Sequence, residues 1–303
     1  MELIDFLGKS DSPLCLALGY FDSVHKGHKK LLDLCVNSGY TPAVFTFTNN
    51  PQNVISGMSK QCYTFSERVH IFEKIGIKCV ISAKFDKDFK NLHGKEFLDI
   101  LCKNFNIKKV VFGTDYTCGV KAEFSAKDVK NYFNKKQIES HVIDLVMADS
   151  GKIASRDIRE LLKAGDIGKV NKLLPYPYFM IGSVEKGRNV GGSVVGYPTA
   201  NIVYPDSKIE IKAGVYKTHI IIDGQAYLGL TNVGAHPTFD DYNFNLESFV
   251  IDFDGDLYGK LIKVEFYEYL RGISKFNSAT ELKAQIDSDF KRVLQDKNEI
   301  KKV

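Results

Sequence analysis

The chain has 303 residues, 44% apolar and 26% charged, with 41 basic against 37 acidic side chains and a formal net charge of +4. That length suits two domains and that profile a soluble globular chain. No apolar run nears the ~20 residues of a membrane span, and Glu2, Asp5 and Asp11 stand where a signal peptide would be basic and then apolar. The mild positive balance suits anionic small molecules without calling for nucleic acid, and it sets no oligomeric state. Six cysteines, Cys15, Cys35, Cys62, Cys79, Cys102 and Cys118, form no C-x-x-C pair and have no histidine at ligand spacing. They read as reduced thiols of a cytoplasmic protein, with no zinc site.

In chain order, Leu14–Leu18 is a continuous apolar run, expected of a strand buried on both faces. A helix is predicted over Gly27–Ser38, with Leu31, Leu32, Cys35 and Val36 on one face and Gly39 as its stop. Strands follow at Ala43–Phe47, Lys78–Ser82, Lys108–Gly113 and His141–Met147, and helices at Phe65–Lys74, Lys95–Asn104 and Ser155–Ala164. Strands alternating with helices imply a doubly wound α/β domain on a parallel sheet, over residues 1–174. Pro175 and Pro177 mark a break. Beyond it come β-type runs at Tyr178–Val184, Val215–Ile222, Ala226–Thr231, Leu246–Phe253 and Leu261–Tyr267, with hairpin signals at Asp223-Gly224 and Asp254-Gly255. Residues 175–303 therefore read as a compact antiparallel β-barrel. A helix over Ala279–Leu294, with Leu282, Ile286, Phe290 and Val293 on one face, closes the chain.

The densest chemistry lies between the first strand and the first helix, from Gly19 through Phe21, Asp22, His25 and Gly27 to His28. Ligands of open parallel sheets bind at this edge, and helix N-termini offer free N–H groups to phosphate. His25 and His28 are placed to donate hydrogen bonds to the phosphates of ATP and to charge developing in transfer. Gly27 lets backbone come close to a nucleotide. A metal site is the alternative, without a third ligand nearby in sequence.

In the second half, Gly182, Gly187, Gly191, Gly192 and Gly196 make a glycine-rich stretch, as often a turn as a phosphate cradle. It ends in Gly196, Tyr197, Pro198, Thr199, Ala200 and Asn201. Thr199 and Asn201, two apart on entry to a strand, face one side and offer hard oxygen ligands for Mg²⁺ on ATP phosphates. The alternative is a turn in which both bond only their own backbone.

These motifs resemble those of the bacterial bifunctional riboflavin kinase/FMN adenylyltransferases. G-x-F-D-x-V-H-x-G-H, from Gly19 to His28, looks like the nucleotidylyltransferase signature. Thr46, Phe47 and Pro51 fall in the T-F-x-P-H-P region, and Phe112–Gly119, with Asp115, resembles the G-x-D-F-x-F-G loop. Ile153–Arg159 sits where the family has I-S-S-T-x-I-R. In the other half, Gly196–Asn201 resembles G-[FY]-P-T-A-N. Asn232–Phe239 resembles N-V-G-x-x-P-T-F, Leu246–Gly259 carries the E-x-x-x-x-D-F pattern, and Leu270–Phe276 matches L-R-x-x-x-K-F.

The resemblance implies two ATP-dependent steps: riboflavin to FMN in the second half, and FMN to FAD with release of pyrophosphate in the first. It implies Glu247 as general base of the kinase, although a strand glutamate by itself reads as sheet surface. Thr199 and Asn201 would hold metal and nucleotide, with Gly187, Gly196 and Pro198 shaping the nucleotide loop. Arg271 would meet phosphate or flavin, or else form a surface salt bridge. In the first half it implies Gly19, Phe21, Asp22, Gly27, Asp115, Ser155 and Arg159 around the nucleotide, and Asn50 near the flavin. Asn50 replaces a histidine here, and Ala154 and Arg156 replace a serine and a threonine. Each lost hydroxyl removes a phosphate contact of ~1–3 kcal/mol, with Arg156 as a substitute charge. Two alternatives are a kinase with a degenerate first domain and a flavin-sensing regulatory protein.

Overall fold

The structure is a computed structural model and describes residues 1–57, 59–144, 147–148, 151–185, 199–236 and 241–295. Its chain forms two units, Met1–Asp157 and Ile158–Val303. Gly187, Gly196 and Pro198, together with Lys186 and Arg188, lie outside the described residues, and Thr199 is described by its backbone.

In the first unit the order is β1 (Glu2–Asp5), β2 (Ser10–Leu18), α1 (Lys26–Val36), β3 (Thr41–Phe47), α2 (Gln52–Ile55), α3 (Phe65–Ile75), β4 (Cys79–Ala83), α4 (Lys87–Asn91), α5 (Gly94–Asn104) and β5 (Phe105–Gly113). A short ribbon of β6 (Thr117–Cys118) and β7 (Phe124–Ser125) precedes α6 (Ala126–Lys135) and β8 (Glu139–Ile143), and a second ribbon pairs β9 (Met147–Ala148) with β10 (Gly151–Lys152). Six parallel strands lie in the order β1-β4-β3-β2-β5-β8. Leu14–Leu18 in β2 and Val110–Phe112 in β5 are buried throughout, because a central parallel strand is covered on both faces. The expected strand over His141–Met147 is shorter and starts earlier, at Glu139. The expected helix at Phe65 is set by a capping box between Thr64 and Glu67 and stops at Gly76, whose φ of 106° suits glycine. Ser125 and Asp128 make the same box at α6.

The second unit takes in most of α7 (Ser155–Ala164) and α8 (Ile167–Leu173). It continues through β11 (Phe179–Glu185), β12 (Thr199–Val203), β13 (Gly214–Ile222), β14 (Gln225–His236), β15 (Asp241–Val250), β16 (Leu261–Arg271) and α9 (Ala279–Leu294). The six strands close an antiparallel barrel in the order β11-β12-β15-β14-β13-β16. Asp223 and Gly224, with φ of 49° and 83°, make the tight β13–β14 turn, as two positive φ values require. The second hairpin signal misleads: β15 ends at Val250 rather than Phe253, and Asp254-Gly255 lies in an irregular stretch after Asp252 turns at φ 56°. Inside the barrel the hydroxyls of Thr218, Thr231 and Ser248 form a chain at 2.8 Å per link, so these buried polar groups are satisfied. Outside, Val215, Leu230, Phe249 and Ile251 pack against Ile286, Phe290 and Val293 of α9. Burying each α9 anchor contributes ~1.5–3 kcal/mol.

Candidate active sites

The first site grows from the end of β2. Gly19 to Val24 cannot continue the strand, because the chain must turn into α1. Phe21 and Val24 take φ values of 55° and 41°, costly for any residue with a Cβ and most so for β-branched valine. Four contacts hold the loop in this form. The Asp22 carboxylate accepts from the Cys62 N–H at 3.0 Å, and the Ser23 and Ser155 hydroxyls meet at 2.9 Å. Thr46 Oγ1 donates to the Tyr20 carbonyl at 2.8 Å, and Arg68 donates to the same oxygen at 2.9 Å.

His25 then caps α1: its Nδ1 accepts from the His28 N–H at 3.2 Å. The two imidazoles stack with centroids 3.7 Å apart, and Phe21 meets His28 edge-on at 5.2 Å. His25 is 2% exposed, and burial lowers its pKa to about 4 against a smaller upward pull from Asp115. Burial, and then His25, hold His28 well below 6.5. Both rings are therefore neutral at pH 7. The His28 Nδ1 is buried with no hydrogen-bond partner among the described residues, an unsatisfied polar group of the kind that marks functional sites.

The loop brings together motifs far apart in sequence. Ser155 touches Ser23, and Asp115 is close enough to act on His25. Arg159 follows Ser155 by one turn of α7 and falls in the second unit. The Arg156 side chain is 86% exposed, with only Asp157 at 4.0 Å, so it does not stand in for the missing hydroxyl inside the site. Asn50 is buried and its amide is spent locally: Nδ2 donates to Ser59 at 3.1 and 3.2 Å, and Oδ1 accepts from the Gln52 N–H at 3.0 Å. Asn49 instead lines a cleft of about 600 Å³ with Asn53, Val54, Lys84, Phe85 and Lys90.

The second site is a row across the barrel. Asn201 on β12 lies opposite Glu247 on β15, Glu247 opposite Asn232 on β14, Asn232 opposite Val215 on β13, and Val215 opposite Arg271 on β16. Directly opposed residues share a face, and this one also carries Phe249 and Leu230, so it is the face that α9 covers. Glu247 is accordingly half-buried, not the solvated strand residue its sequence position alone suggests. Arg271 is held by Asp289 of α9, with Nε and Nη2 at 2.9 and 2.8 Å from one carboxylate oxygen, while Gln285 donates to the other at 2.9 Å. The Asn201 carboxamide oxygen and the Glu247 carboxylate belong to one face of neighbouring strands. Hard oxygen donors of this kind fit Mg²⁺; among the described residues no cluster of histidine, cysteine or acidic ligands competes.

Sequence reading missed Arg68, the Cys62 amide and Asp289. The Thr64/Glu67 box predicts the helix that carries Arg68, but not where its guanidinium goes.

A parallel sheet with a strained, histidine-bearing loop at its carboxyl edge, and a barrel with a Glu/Asn row under a helix, define a two-site nucleotide-dependent transferase. Residues 8–157 match the FAD synthetase family and residues 174–296 the riboflavin kinase family. A bifunctional riboflavin kinase/FMN adenylyltransferase of Listeria monocytogenes is 31% identical over 90% of this chain and 89% of its own. The protein of that description from Bacillus subtilis is 33% identical over 90% and 89%. A crystal structure from Streptococcus pneumoniae, described as a macrolide-efflux protein, has a TM-score of 0.83 at 30% identity and covers 96% of this chain and 98% of that one. No described helix here is long and apolar enough to cross a membrane. The chain belongs to the bifunctional riboflavin kinase/FMN adenylyltransferase family.

Proposed function

We propose that residues 175–303 phosphorylate riboflavin to FMN and that residues 1–174 adenylylate FMN to FAD, in the cytoplasm, with ATP as co-substrate of both. The observation that carries this reading is the pairing of each motif with its partner motif: Ser155 with Ser23 in one unit, and Glu247 with Asn201 in the other.

In the kinase step Glu247 takes the proton of the flavin's ribityl 5′-hydroxyl as that oxygen bonds to the γ-phosphorus and the bond to ADP breaks. Mg²⁺ would be held by Thr199 and Asn201 and would neutralise phosphate charge. By the family resemblance, Gly187, Gly196 and Pro198 belong to the nucleotide-binding residues of this site. Arg271, held by Asp289, is assigned to contact with phosphate or flavin.

In the adenylyl step a phosphate oxygen of FMN attacks the α-phosphorus of ATP and pyrophosphate leaves. No covalent enzyme intermediate is needed, so the protein's part is alignment and charge neutralisation. The N–H groups at the start of α1, with Gly27 allowing close approach, and the neutral His25 and His28 meet the phosphates. Gly19, Phe21, Asp22 and Asp115 border the nucleotide, and Ser155 and Arg159 form its second phosphate contact. Asn50, next to Asn49 of the 600 Å³ cleft, is assigned to the flavin.

Purified protein incubated with riboflavin, ATP and Mg²⁺, with the flavins resolved by chromatography, should yield both FMN and FAD. FMN alone would reduce the first unit to a support, and no product at all would sink both assignments.

A further inference from the structure

Arg68 is the largest fully buried side chain among the described residues, and neither proposed reaction uses it. A guanidinium stays charged at any physiological pH, and buried cations ordinarily sit against a carboxylate. Among the described residues Arg68 has none within ion-pair distance. Its donors go to neutral oxygens instead: Nη1 to the Tyr20 carbonyl at 2.9 Å and to Thr46 Oγ1 at 2.7 Å, and Nη2 to the Phe47 carbonyl at 2.6 Å. Nε has no partner. The plane lies against the Tyr20 ring at 4.8 Å and the Phe65 ring at 5.6 Å. Tyr20 in turn donates its phenol to Gln61 at 3.0 Å.

Each of these partners lies at one place. Tyr20 follows β2, Thr46 and Phe47 end β3, and those strands are neighbours in the sheet. Tyr20 immediately precedes the strained Phe21, and the strain at Phe21 and Val24 persists only while its surroundings hold it. A planar fork with fixed donors suits a role that clamps two strand ends to one loop. A core role alone would be served by an uncharged side chain at lower desolvation cost.

We propose that Arg68 is a positioning residue for adenylyl transfer, clamping the Gly19–His28 loop to the end of β3 so that His25 and His28 keep their stacked, capped arrangement. The proposal rests on the adenylyltransferase reading of the first unit. Arg68 touches no substrate in it; it acts through Tyr20. Its fixed charge beneath the carboxyl edge of the sheet also adds to the positive potential that draws in nucleotide phosphates.

The test compares Arg68→Met, which keeps length and loses the charge and the fork, with Arg68→Lys, which keeps the charge and some of the donors. Two readouts are used on the full chain: FAD formation from added FMN, and imidazole titration of His25 and His28 by NMR. In Arg68→Met the kcat for FAD should fall at least tenfold with KM for ATP changed less than threefold, and the His25 titration should move up from about 4 toward 6.5. Arg68→Lys should recover kcat to within about threefold of the parent, and FMN formation from riboflavin should stay within twofold in both. Should Arg68→Met not fold, Arg68→Lys and Thr46→Val are read the same way, each expected to lose part of kcat and to move His25 part of the way. A kcat within twofold of the parent, or a lower kcat with both imidazoles titrating as in the parent, overturns the proposal. If the parent itself makes no FAD, the adenylyltransferase reading fails instead, and the imidazole titration still decides whether Arg68 holds the loop.

Discussion

Glu247 stands in mid-strand between buried Leu246 and buried Ser248, so alternation alone would turn it toward water. Its outward face is the one beneath α9, where the carboxylate is half-buried. Glu247→Gln keeps the shape and removes the proposed proton acceptor. FMN formation should fall ~10²–10⁴-fold in kcat, while FAD formation from added FMN stays unchanged, as steady-state assays of the two half-reactions will show. His28→Ala should do the reverse, lowering FAD formation ~10²-fold or more through loss of a phosphate-facing donor and sparing FMN formation. The candidate residues of both sites could be picked out because they fall in short motifs whose chemistry is local: a histidine pair at a helix start, an oxygen pair at a strand start. Arg68 and Asp289 could not, since a lone arginine or aspartate on a helix reads as surface until its partner in another element is known. Nor do the hydrogen bonds of Asn50 to Ser59 follow from its place in a motif.

At the scale of elements, the strands that could be read were those with unbroken apolar runs, such as Leu14–Leu18, and those joined by Asp223-Gly224. The helix over Ala126–Lys135 went unread although Ser125 and Asp128 signal its start, because its apolar face is only Ala126, Val129 and Phe133. The closing helix was read correctly from its stripe, but not the polar bond that fixes it. Asp289 ties α9 to β16 through Arg271 and is 8% exposed. Asp289→Ala removes one partner of this pair and leaves a guanidinium poorly solvated, so it should destabilise the second unit by about 3 kcal/mol. Denaturant unfolding would register that loss, and FMN formation should fall with it as Arg271 swings free. The Asp115 loop has an analogous fixture in the first unit. Gly119 has φ 82°, and a Cβ there would fall on the Gly94 backbone. Gly119→Ala should cost about 2 kcal/mol or more, because strain and clash add. It should raise KM for ATP in FAD formation and leave the kinase reaction alone.

The whole molecule responds to acid through the site of its first unit. His25 takes up a proton below about pH 6.5 when unfolded but only below about 4 when native. Between those values unfolding absorbs a proton, so the stability this neutral ring contributes is complete above pH 6.5 and is lost progressively as pH falls toward 4. The interval corresponds to about 3 kcal/mol, a sizeable part of a domain's stability. His28, depressed for the same first reason of burial, adds to the effect in the same direction. Nothing in the sequence announces this, since burial, rather than residue type, sets the shift. His25→Asn isolates it: asparagine is itself a good N-cap, so the helix start survives, and the variant does not titrate in this range. Calorimetric scans from pH 7.5 to 4.5 should find the two proteins within about 1 kcal/mol at the upper end. At the lower end the parent should have lost about 2–3 kcal/mol more than the variant in the transition of the first unit. Parallel decline of the two would mean that His25 is not buried as a neutral ring, and with it would go the view of the histidine pair as uncharged donors awaiting phosphate.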